Sequence, residues 1–266
     1  PVLNDLGQIE RWARYCRDHT DANSAAALQL DTGMSRLGLS ISEQKILFSD
    51  INRLNPIQLT LVMSHLACAD EPENAMNRRQ LHEFLAAIQN FSNIPASISA
   101  SSGIFLGPEW RFDMVRPGVC LYGVKPNNST LNPMSQVVLL QGKILQIRGI
   151  DTPSSVGYGA THQAEKGQKI AIVGVGYADG YLRSLSNSAT AILGGIRVPV
   201  VGRVSMDLIT LDVTNVPDQV ARPGALVDLI GPDHSVDTLA REAGTIGYEI
   251  LTALGPRFHQ NYLETA

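Results

Sequence analysis

Leu81, Phe84, Leu85 and Ile88 recur at i, i+3, i+4 and i+7, the spacing of one apolar stripe along a helix. Near the start of the chain Leu6, Ile9, Trp12, Ala13 and Cys16 repeat that period behind Asn4, a residue type suited to capping, and the stripe stops in the polar turn 18–23. A further helix is expected from about Ser42, ending before the Asn55-Pro56 pair. Between these helices lie short runs that are mostly apolar rather than alternating, at 25–30, 58–65 and 95–100. Such strands are covered on both faces, and their alternation with helices predicts a parallel α/β sheet. Ligands gather at the carboxyl ends of the strands in that architecture. Arg36, His65, Ser102 and Arg116 fall at such ends, which makes them candidate site residues.

The pattern changes at the polar, proline-bounded stretch 125–133. Beyond it, short segments rich in Val and Ile at 137–150, 168–175, 189–204, 208–213 and 226–230 predict a mostly β region. Gly194-Gly195, set between Ala191-Ile192-Leu193 and Ile196-Arg197-Val198, marks a hairpin. Two helices are expected to close the chain, 235–244 with Ser235 as cap and 245–254 stopped by Gly255-Pro256. The expected domains are 1–126 and 127–266.

Composition narrows the function more than the fold. With 44% hydrophobic and 17% charged residues the chain is globular in type, and a net charge of −4 leaves no basic field for nucleic acid. Cys16, Cys68 and Cys120 are odd in number and far apart, without the close spacing of a metal site, and read as buried thiols of a reducing compartment. No apolar run reaches membrane-spanning length and no leader pattern is present, so no membrane and a cytoplasmic location are expected. The chain opens at Pro1 without a Met, which suggests processing or truncation there.

The densest candidate chemistry is Met114-Val115-Arg116-Pro117-Gly118-Val119-Cys120-Leu121-Tyr122-Gly123. A cation, a rigid turn and a glycine precede a short apolar run, so the amides around Gly118 and Val119 can approach and cradle a phosphate. The same residues also read as a buried strand leaving a Pro-Gly turn, with Arg116 solvated. Likewise His65 alone suits a structural histidine, and Tyr158 alone a tyrosine packed in a glycine turn.

Ordered blocks decide among these alternatives: Asp31-Thr32-Gly33-Met34-Ser35-Arg36-Leu37-Gly38, Ser64-His65-Leu66-Ala67, Val115-Arg116-Pro117-Gly118, Tyr158-Gly159, Gly176-Tyr177-Ala178-Asp179-Gly180-Tyr181, Gly202-Arg203-Val204-Ser205-Met206-Asp207 and Tyr248-Glu249. In this order, spanning essentially the whole chain, they resemble the bacterial alanine racemases. The resemblance implies a pyridoxal 5'-phosphate enzyme with an eight-stranded α/β barrel of TIM type and a trailing β domain. It further implies a homodimer with shared active sites that racemises L- and D-alanine by two-base proton transfer, supplying D-alanine for peptidoglycan. By the same resemblance Tyr158 is a catalytic base, Arg116 faces the cofactor's pyridine nitrogen and His65 orients Arg116. Ser102, Gly118, Val119 and Tyr248 hold the phosphate. Arg36 and the backbone at Met206 bind the substrate carboxylate, and Tyr177 and Arg183 line the entrance.

The family's cofactor lysine, in a Lys-Ala-Asn-Ala-Tyr-Gly motif, has no match, since Lys45, Lys125, Lys143, Lys166 and Lys169 lie in other patterns. The chain is therefore expected to be the carboxyl-terminal portion of such an enzyme, holding the second half of the barrel and inactive by itself. A racemase of broader amino-acid range and a non-catalytic fragment are the alternatives. At Gln29, where many relatives carry a carbamylated lysine, the amide oxygen is expected to accept a hydrogen bond from Arg36.

Overall fold

In the computed structural model, which describes residues 1–19, 23–128 and 131–263, β1 (Val2–Leu3) gives way to α1 (Leu6–Asp18) at Asp5. Asp5 rather than Asn4 is the cap, because its carboxylate accepts the Gln8 amide at 2.6 Å. Thr20, Asp21 and Ala22 of the expected polar turn, and Ser129 and Thr130 of the proline-bounded stretch, lie outside the described residues. After β2 (Ala25–Gln29), α2 (Ile41–Ser49) starts on a capping box in which Ser40 and Glu43 satisfy each other's amides. Then follow β3 (Gln58–Met63), α3 (Ala75–Ile88) and β4 (Ala96–Ser97).

The four strands form one parallel sheet in the order β1-β2-β3-β4, and a parallel bridge from Ala100 extends it to Arg116. This is a barrel-type α/β arrangement with four strands in the described residues. Its core joins Leu28, Leu30, Val62 and Ile98 of the strand region to Ile9, Leu47 and Phe84 of the helices. The apolar stripe predicted for α3 is rotated from the observed one. Leu85 is exposed, whereas Asn77 and Gln80 are buried beside Phe84 and Ala87. The two amides take inward positions because they satisfy main-chain groups of the segment after β3, a role apolar periodicity does not register.

The β-rich remainder contains β5 (Leu140–Gly149), β6 (Ser154–Val156), β7 (His162–Ala164), β8 (Lys169–Val173), β9 (Thr190–Leu193), β10 (Ile196–Pro199), β11 (Ile209–Asp212) and β12 (Leu226–Ile230). Six of them form a sheet ordered β10-β9-β12-β5-β8-β11, with every pairing antiparallel. The Gly194-Gly195 hairpin is present, both glycines at positive φ. The small β6–β7 hairpin was not expected, its segments being too short and polar to register as strands. Ser235 caps α4 (Val236–Ala243), and Gly244 ends it in the left-handed conformation. The last helix, α5 (Gly247–Ala253), begins two residues later than the expected Thr245, because the intervening Ile246 remains extended.

Two compact units result: Pro1–Leu121 with Lys125–Pro133, and Tyr122–Val124 with Met134–Ala266. The candidate residues divide between them.

Candidate functional site

In the first unit the strand ends converge on Arg116. Its main-chain amide donates to Ser99 O at 2.9 Å, continuing the sheet, so the side chain leaves from a fixed point. The guanidinium then donates to Ser97 Oγ, to Ser64 O at 2.6 Å and to Ile98 O at 3.4 Å. These bonds, rather than one from His65, orient it. Ser97 and Ser64 are buried and stand at the ends of β4 and β3, where the sheet itself fixes their positions. His65 follows immediately. Burial first, and then the charges of Arg116 and Arg36, hold its pKa below the ordinary histidine value, which favours the neutral imidazole.

Arg36 rides on the loop after β2. Asp31 Oδ1 accepts the amides of Gly33, Met34 and Ser35 at 2.9, 3.0 and 3.1 Å, winding the loop around one carboxylate. Gly38 closes it at φ +106°, where a Cβ would stand 2.7 Å from Asp31 N. Gln29 does not engage Arg36 as expected. Its Nε2 donates to Leu37 O at 3.3 Å, so it holds the loop through the main chain and leaves the guanidinium to other contacts. Arg36 itself is exposed.

Past Arg116 the backbone amides of Gly118 and Cys120 point at one hydroxyl, Ser101 Oγ, at 2.9 and 3.4 Å. Ser102, the hydroxyl named from the sequence, lies beside Ser101 ahead of the 3-10 turn Gly103–Phe105. A Cβ at Gly118 would meet only Ser101 Oγ, at 3.9 Å, so the space beside that residue is open, although its amide is taken up by the serine. Val119 begins the next 3-10 turn, Val119–Tyr122.

In the second unit Tyr158, Tyr177, Arg183, Arg203, Val204 and Ser205 line a cavity of about 340 Å³. Tyr158 is 73% exposed and sits between Gly157 and Gly159, at φ +73° and +71°. The guanidinium of Arg203 lies over Gly159, where a Cβ would stand 2.9 Å from Nη1 and displace that side chain. Tyr177 and Ala178 donate their amides to Ser205 O and Met206 O at 3.0 and 2.9 Å, tying the two loops together. The Met206 carbonyl is thereby used within the fold, while its side chain is exposed. Tyr248 is the second residue of α5, also exposed. Ser97, Ser101 and Arg203 were not singled out from the sequence. Of the three, Arg203 stands in the Gly202-Arg203-Val204-Ser205-Met206-Asp207 block and Ser101 next to the named Ser102, whereas Ser97 carried no signal.

The five lysines stand elsewhere. Lys45 is exposed on α2, Lys125 precedes Pro126, Lys143 lies on β5, Lys166 between β7 and β8, and Lys169 pairs with Asp218 at 2.5 Å. Among the described residues no cluster of His, Cys, Asp and Glu suited to a metal is found, and no helix is long and apolar enough to cross a membrane.

Residues 1–126 match the family described as "Alanine racemase, N-terminal domain", and 137–262 match "Alanine racemase, C-terminal domain". An alanine racemase of Rhodospirillum rubrum is 57% identical over 262 residues, covering 98% of this chain and 70% of the relative. A catabolic alanine racemase of Agrobacterium fabrum is 44% identical, covering 99% and 68%. Among solved structures, the alanine racemase of Bartonella henselae with covalently bound pyridoxal phosphate superposes with a TM-score of 0.93 at 35% identity, covering 99% of this chain and 73% of that one.

Proposed function

The chain belongs to the alanine racemase family, and from that premise we propose that it serves the interconversion of L- and D-alanine by proton transfer on both faces of the α-carbon. The observation that carries the reading is the Arg116 guanidinium, held by Ser97, Ser64 and Ile98 next to His65 and followed directly by the Gly118 amide. Pyridoxal phosphate is the cofactor of this reading, and the residues present fit its ring nitrogen and its phosphate. An anion entering the open space beside Gly118 would take over the amide that Ser101 Oγ now accepts, and the amide of Val119, the hydroxyl of the neighbouring Ser102 and Tyr248 would complete its ligands. When bound, the cofactor supplies a sink for the electron pair released as the α-proton leaves.

The chain's own groups do the rest. Arg116, always charged, would hold the ring nitrogen and disfavour its protonation, which would limit how far charge drains from the α-carbon. Neutral His65 beside it adds no second cation. Arg36, with the backbone at Met206, binds the substrate carboxylate, and Tyr177 and Arg183 line the entrance. The phenol of Tyr158 moves the proton on one face. An amine moves it on the other, and none of the five lysines directly follows a strand of the parallel sheet in the sequence, so this reading takes that amine from outside the 266 residues. It also takes the four strands as half of an eight-stranded barrel, with 1–126 as barrel and 127–266 as β-rich domain. The active form is a cytoplasmic homodimer that shares its sites and makes D-alanine for peptidoglycan.

The test has two arms. Joining this chain to the lysine-bearing segment of the Rhodospirillum rubrum relative is expected to give pyridoxal-phosphate-dependent conversion of L- to D-alanine. Absence of conversion in a folded, cofactor-loaded protein overturns the function. Borohydride treatment of the 266-residue chain with pyridoxal phosphate is expected to fix no adduct at a single lysine, and an adduct at one of the five overturns the view that the amine comes from elsewhere.

A further inference from the structure

Gln80, Thr32 and Ser64 are buried side chains from three different elements, with 0%, 5% and 1% of their surface exposed. Gln80 Oε1 accepts the Ala67 amide at 2.8 Å, while its Nε2 donates to His65 O at 2.9 Å and to Thr32 Oγ1 at 3.2 Å. Thr32 Oγ1 and Ser64 Oγ are 2.8 Å apart, and Ser64 Oγ donates to Leu30 O at 2.8 Å. A hydroxyl has one proton to give. Ser64 spends its proton on Leu30 and must accept from Thr32, and Thr32 accepts from Gln80. The chain of bonds thus runs one way only, from Gln80 through Thr32 and Ser64 to Leu30. Its two middle members bear on the site: Thr32 belongs to the loop that carries Arg36, and the Ser64 carbonyl receives Arg116 Nη2 at 2.6 Å.

We propose that Gln80, Thr32 and Ser64 are positioning residues, a directional relay that sets the Arg36 loop against the seat of Arg116 and the main chain of His65. Gln80 alone fixes the segment 65–67 at a donor and an acceptor, and Thr32 transmits that position to the neighbouring loop. An apolar contact at Thr32 holds distance but not direction, which is why the hydroxyl matters. The relay rests on the reading of Arg36 and Arg116 as ligand-binding cations.

The experiment follows the His65 imidazole by NMR through a pH titration of the 266-residue chain, without cofactor or substrate, alongside its melting temperature. Racemisation can then fail while the relay stands, and the two failures are distinguishable. In Thr32→Val the Arg36 loop loses its fixed place, one of the two cations facing His65 moves off, and the His65 midpoint shifts upward toward the ordinary value. Thr32→Ser, which keeps the hydroxyl, leaves the midpoint at its wild-type position. Gln80→Met keeps the length of the side chain, removes its polar end and brings no charge near His65, so it repeats the upward shift and carries the comparison if Thr32→Val does not fold. A Thr32→Val midpoint that stays at the wild-type value, with or without a lower melting temperature, overturns the proposal. So does a Thr32→Ser midpoint displaced as far as that of Thr32→Val, or an unmoved midpoint in Gln80→Met.

Discussion

Arg116 and Tyr158 are held in opposite ways. Arg116 is half-buried at the end of a parallel sheet, with its guanidinium on three acceptors from neighbouring strand ends. Tyr158 is 73% exposed on a turn between two left-handed glycines. A charge that must keep one direction is built into the sheet, where each holding residue is itself held. Under the proposed function, the group that approaches the substrate stands on a turn, where little of the fold depends on it.

Replacing each kind of group separates the two designs. In a cofactor-loaded, lysine-bearing form of the protein, Tyr158→Phe is expected to lower kcat by roughly a thousandfold, about 4 kcal/mol in the barrier. Its unfolding free energy should stay within about 0.5 kcal/mol of wild type, and a larger fall in a urea melt contradicts the independence of that turn. Gly180→Ala strikes the rigid part under the Tyr177 loop. The new Cβ would stand 2.0 Å from Ala253 O at φ +98°, so destabilisation of about 3 kcal/mol is expected by the same melt. Arg116→Leu leaves the Ser64 carbonyl and Ser97 hydroxyl without their donor and should cost about 2 kcal/mol, unlike the tyrosine replacement.

The smallest effect is that of pH. His65 has its folded pKa below the ordinary value, so between the two values the unfolded chain binds the extra proton, and stability falls as pH drops below about 6.5. Comparing urea midpoints of wild type and His65→Gln at about pH 7.5 and pH 5.5 reads this directly. The loss on acidification should be smaller in the variant.

Elements carried by apolar rhythm were legible in the sequence. The strands at 25–30 and 58–65, the helix over Leu81 and Ile88, and the Gly194-Gly195 hairpin all form close to their expected places. What the rhythm misses is polar groups used inward. Gln80 reads as solvent-facing on a helix and is buried, because the main chain after β3 needs its amide. Ser97 reads as an ordinary strand residue, and only the backbone of β4 shows that it meets Arg116. The sequence named Ser102, and that the neighbouring Ser101 is the hydroxyl turned toward Gly118 is seen only in the fold. Motif order supplied the candidate residues, whereas their holding partners emerged from the fold.

The seat of Arg116 is made of two peptide carbonyls and a serine oxygen, with no carboxylate in contact among the described residues. Dipoles aim a cation without neutralising it, so a full positive charge remains directed outward from partly desolvated surroundings. Counter-ions screen such a charge less than one on an open surface, and the attraction it exerts on an electron-rich ring should weaken little as ionic strength rises.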